Sequence, residues 1–101
     1  MPWLLFESGK TIGTKGPHEG SIIIDEEHSA GARLTLERGG EIAPFAITVA
    51  IYGSLLHSVF AALESETMQV CQKLKEALEG ILSETNDKQR EELLHRLLAE
   101  F

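Results

Sequence analysis

Apolar and polar positions change their period near residue 62, which divides the chain into strands followed by helices. Residues 3–7 read as a short buried strand, and residues 8–20 as a loop carrying Gly9, Gly13, Gly16, Gly20 and Pro17. Residues 21–28 and 32–38 alternate as two strands. Ser29-Ala30-Gly31 between them suits a three-residue hairpin loop with glycine at the left-handed position. That register puts Ile24, Glu26 and His28 on one face with Ala32, Leu34 and Leu36. Asp25 and Glu27 share the other face with Arg33, Thr35 and Glu37, and Glu27 is expected to pair with Arg33 across the strands.

From Phe45 to Leu63 there are nineteen residues without a charge. The length would suit a membrane helix. The β-branched and aromatic residues, the central Gly53-Ser54 and the lack of flanking Lys and Arg favour a hairpin with strands at 45–52 and 55–62. A two-residue turn at Gly53-Ser54 pairs Tyr52 with Leu55, Ala50 with His57 and Thr48 with Val59. One face then holds Phe45, Ile47, Val49, Ile51, Leu56 and Phe60. The other is shallow, with Thr48, Tyr52 and His57 among small or apolar residues. A strand apolar on both faces calls for a cover on both: another element, a second subunit or a ligand.

Beyond residue 62, Thr67, Val70, Cys71, Leu74, Leu78 and Ile81 recur at helical spacing, with Ser65 as the expected N-cap. Residues 83–86 break this helix. Asn86 with Gln89 resembles a capping box and opens a second helix with Leu93, Leu94, Leu97, Leu98 and Phe101 along one stripe. That stripe folds back on the domain or docks on another copy. The expected fold is α+β: one domain over residues 1–101, an antiparallel meander of about five strands over 1–62 and two helices packed on one face over 63–101.

With 101 residues and a formal charge of −7, the chain supports a core without staples and lacks the basic surplus of a nucleic-acid binder. Its single cysteine, Cys71, sits on the apolar stripe and fits a reducing compartment. Residues 1–7 lack a basic start and a long apolar stretch, so no leader is expected and the location read from the sequence is cytoplasmic.

No residue pattern names a reaction, and none calls for a cofactor. Gly9-Lys10-Thr11 ends like a phosphate-binding loop, but Leu4 stands where the motif needs glycine, and a strand follows instead of a helix. A weaker anion site remains in the glycine-rich loop through Lys10, Lys15 and His18. Thr48, Tyr52 and His57 make the shallow hairpin face a second ligand candidate. Glu26 and His28 share a face and could supply two metal ligands, with His57 or His18 as a third. No nucleophile–base pair is visible. Three functions follow in order: a non-catalytic homodimeric interaction protein; a small-molecule or anion binder using the hairpin face or the loop; and a metal-dependent enzyme using His28, Glu26 and His57.

Overall fold

The computed structural model describes residues 3–101. Met1 and Pro2, which open the segment weighed as a leader, lie outside them. The architecture is α+β. Five antiparallel strands run β1 (Trp3–Leu5), β2 (Ser21–His28), β3 (Ala32–Arg38), β4 (Phe45–Ile51) and β5 (Leu55–Ala61), each beside the next in chain order. Two helices follow, α1 (Glu64–Ser83) and α2 (Asp87–Glu100). The uncharged run is the β4–β5 hairpin and the two residues that lead into α1, and among the described residues no helix is long and apolar enough to cross a membrane.

The β2–β3 hairpin has the register its alternation dictates, His28 opposite Ala32 and Asp25 opposite Thr35, with Gly31 at φ +105° closing the loop. A bulge at Ile23 shifts the register between Ile22 and Ile24. The β4–β5 hairpin departs from expectation by one residue. Ile51, not Tyr52, faces Leu55, and Val49 faces His57. The loop is Tyr52-Gly53-Ser54: Gly53 has φ +78°, and the Ser54 N–H donates to the Ile51 carbonyl at 2.9 Å. Glycine therefore occupies the third position of a type II-like turn instead of the first loop position of a two-residue turn. The slip turns all of β5 over. Leu55, Val59 and Ala61 join the core, His57 goes with them, and Leu56, Ser58 and Phe60 move to the opposite face.

The core lies between the sheet and the helices. Leu34, Leu36, Ile47 and Val49 meet Leu74, Leu78 and Ile81, all 0–1 % exposed. The α1 helix begins two residues earlier than expected. Leu63 holds the N-cap place without a side-chain cap, so Ser65 lies inside the first turn, and the Thr67 hydroxyl donates back to the Leu63 carbonyl. Asn86 does cap α2, accepting from the Gln89 N–H at 3.0 Å. Leu97 of α2 is buried against the core, so this helix folds back on its own chain.

The first strand is shorter and less buried than expected: Leu4 and Leu5 are exposed. Phe6–Gly9 turns away as a short 3-10 segment, with Glu7 and Ser8 both at positive φ. Trp3 is the anchor. Its indole N–H donates to Glu79 Oε1 of α1 at 2.7 Å, and the His28 ring meets it edge-on at 5.1 Å.

Candidate functional site

The second face of the sheet is covered by the chain itself. The glycine-rich loop folds across it from β2 toward β5. Reciprocal backbone bonds start the loop: Gly13 N–H to the Ile22 carbonyl at 2.8 Å and Ile22 N–H to the Thr14 carbonyl at 2.9 Å. The middle of the loop is held by Glu37 of β3, whose side chain is fully buried. Glu37 Oε1 accepts from the backbone N–H groups of His18 and Gly20, each at 2.9 Å. Its Oε2 has no partner among the described residues and packs against Gly16, where a β-carbon would sit 2.6 Å away and force the carboxylate aside. At the far end, His18 Nε2 meets Ser58 Oγ at 2.8 Å and its ring contacts Phe60 edge-on.

A second buried carboxylate lies beside the first. Asp25 is 0 % exposed and receives four hydrogen bonds. Arg33 donates through Nε at 2.9 Å and Nη2 at 2.6 Å, Thr35 donates at 3.0 Å, and Thr11 reaches down from the loop at 2.8 Å. Burial opposes ionisation of Asp25, but the bonds from Arg33, Thr11 and Thr35 outweigh it and hold the pKa below the usual carboxylate value. The Phe6 ring covers the guanidinium, 3.6 Å from Cζ to the ring centroid. Arg33 thus pairs diagonally with Asp25 and not with Glu27, although Glu27 stands opposite it in the ladder. The reason is burial: a fully enclosed carboxylate must be paired, whereas Glu27, only half-buried, is not obliged to be, and it accepts from the Tyr52 hydroxyl.

Between loop and sheet is an open cavity of about 410 Å³. Lys15, Pro17, Thr11 and Thr14 form its loop wall; Ile22, Arg33 and Thr35 form one side of its floor, and Thr48, Ala50 and Leu56 the other. The two ligand candidates of the sequence, loop and hairpin face, therefore meet in one place. Only part of each set is there. Lys15 and Thr48 line the cavity. Lys10 is not among its walls, and His18 is committed to Ser58. Tyr52 stands at the hairpin tip, its pKa pushed up to about 12 by burial and by Glu27. His57 faces α1 on the opposite side of the sheet, a consequence of the register slip, with Nε2 buried and without a partner among the described residues.

Glu26 and His28 do share a face, but each has its own partner. Lys75 of α1 pairs with Glu26, and His28 Nδ1 accepts from the Ala30 N–H at 3.0 Å. Neither His18 nor His57 joins them, and among the described residues no group of three His, Cys, Asp or Glu side chains converges for a metal. Cys71 is buried in the core; burial raises its pKa to about 11, with Lys75 opposing and Glu26 adding to the shift, so the thiol stays protonated near neutral pH. The burial of Asp25 and Glu37 was not read from the sequence, though a signal was there: with Arg33 and Thr35 they form a polar row on the face opposite Ala32, Leu34 and Leu36. Comparison of the chain with family models, curated proteins and solved structures finds no match.

Proposed function

We propose that this chain is a non-catalytic interaction protein that works as a homodimer joined along β5. The observation that carries the reading is the outer edge of that strand. β5 pairs only with β4 among the described residues, leaving a seven-residue edge open. Exposed edges are normally blunted by Lys, Pro, a bulge or short length. β1, at the other edge, has three residues, but β5 has none of these devices. Leu56 is 77 % exposed and Phe60 42 % exposed on the same face beside it. The other surfaces weighed for contact are occupied: the glycine-rich loop crosses the hairpin face, and α2 packs on α1.

A second copy suits this edge better than an unrelated strand because the edge is self-complementary. A two-fold axis at Ser58, the middle of β5, places Leu56 beside Phe60 of the partner subunit, and the reverse, giving two apolar cross-strand pairs. The charge of −7 on each chain opposes association in general, but the nineteen uncharged residues around β5 keep that repulsion away from the contact. Pairing would extend the sheet from five strands to ten.

Analytical ultracentrifugation at low micromolar concentration is expected to show a dimer. Leu56→Lys is expected to convert it to a monomer while leaving the unfolding free energy of the chain within about 0.5 kcal/mol, as for other exposed positions. A monomer at every concentration, or a dimer indifferent to the lysine, refutes the reading.

A further inference from the structure

We propose that the cavity between the glycine-rich loop and the sheet binds a small organic carboxylate with an apolar body. The chain has sixteen acidic residues, yet none of them lines this cavity; its charged walls are Lys15 and Arg33. Anions are repelled by the molecule as a whole and tolerated here. The volume, about 410 Å³, lies within the range of small-molecule sites, and the walls combine apolar surface with a few polar groups.

The polar groups are set in advance. Arg33 commits Nε and Nη2 to Asp25 and one face to Phe6, which fixes the guanidinium plane. Its Nη1 donors have no partner among the described residues and are not enclosed. A guanidinium nitrogen held in place needs no reordering to donate a charge-assisted hydrogen bond to a carboxylate. Asp25 offsets the net charge of Arg33, so recognition rests on these directed donors with Lys15 adding charge. The Lys15 ammonium is paired with Glu19 only at the surface, with its side chain 70 % exposed, and can turn to a ligand. Ile22, Pro17, Ala50 and Leu56 offer an apolar bed for the body of the ligand.

The hydroxyls add a second preference. Thr11 and Thr35 spend their protons on Asp25, and Thr14 spends its own on the Thr11 carbonyl. Their oxygens can only accept from a ligand, so a carboxylate that also carries a donor such as a hydroxyl or amine is favoured. The inference does not rest on the dimer: strand pairing at an edge extends the sheet in its own plane, Leu56 is common to both contacts, and the variants below leave Leu56 in place.

The test is an amide NMR titration of the labelled full chain with hexanoate, hexan-1-ol and inorganic phosphate as probes. Hexanoate is expected to shift the amides of Thr14, Thr35, Thr48 and Ala50 saturably, and the alcohol and phosphate to bind about tenfold more weakly or less. Ala50→Leu, which fills the cavity, is expected to abolish the shifts. Lys15→Ala, at an exposed position that folding does not need, is expected to weaken hexanoate about threefold or more while leaving the alcohol unchanged. No saturation by about 10 mM, equal binding of the three probes, or undiminished hexanoate binding in Lys15→Ala overturns the proposal.

Discussion

Asp25→Ala is expected to lower the unfolding free energy by about 3–5 kcal/mol, read from denaturant titration at neutral pH. The substitution strips Arg33 of its bidentate partner and leaves the Thr11 and Thr35 hydroxyls without their acceptor, in a site with 0 % exposure at Asp25. A domain of this kind has about 5–15 kcal/mol in all, so the loss is a large part of the total. Replacing both partners, Asp25→Leu with Arg33→Met, is expected to recover much of it, because the cost lies in the stranded charge. The effect has a definite pH dependence. The folded pKa of Asp25 lies below its unfolded value. Its contribution is therefore complete above the unfolded value, about 3.9, and fades as pH falls through the lower folded value. The gap between the native chain and Asp25→Ala should stay constant near neutrality and narrow below about pH 4.

Glu37→Ala is expected to cost about 2–4 kcal/mol and to release the loop from the sheet. The buried Oε1 is the acceptor for both His18 N–H and Gly20 N–H, and among the described residues no other acceptor is bonded to either. Hydrogen exchange at these two amides is the direct readout, and both should lose protection. Glu37→Gln should behave differently. It keeps an accepting oxygen, and the atom it alters, Oε2, has no partner among the described residues, so stability should stay within about 1 kcal/mol of the native chain. Equal losses in the two variants would mean that the buried charge, and not the acceptor, holds the loop.

How far the fold could be read in the sequence depended on how unequal the two faces of each strand are. In β2 and β3 one face carries Leu34 and Leu36 and the other Arg33, Thr35 and Glu37, so only one register buries the right set, and it is the one found. In β4 and β5 both faces are apolar. Leu56 and Phe60 suit a core as well as Leu55 and Val59 do, so the pattern cannot choose, and the turn at Gly53 decides. The same ambiguity sent His57 to the wrong face. The helices were legible because Leu74, Leu78 and Ile81 recur against charged neighbours. The cover of the second sheet face was not, because the loop is held mainly through backbone N–H groups on Glu37, and backbone donors leave no mark in side-chain pattern. Half of the cavity was nonetheless in view: Lys15 and Thr48 stand out in the sequence for separate reasons and meet only because the loop crosses the sheet.

The attachment of Trp3 to α1 governs what light reports about this molecule. Trp3 is the one tryptophan in the chain, and it packs at the margin of the core with Glu79 at 2.7 Å, the His28 ring edge-on and the Lys75 ammonium 5.5 Å from its ring. It sits on a three-residue strand whose other members are exposed, the kind of segment that opens locally before the rest. Its emission is thus a gauge of whether the first strand is seated, and a fluorescence melting curve dates the departure of that strand while circular dichroism dates the collapse of the helices.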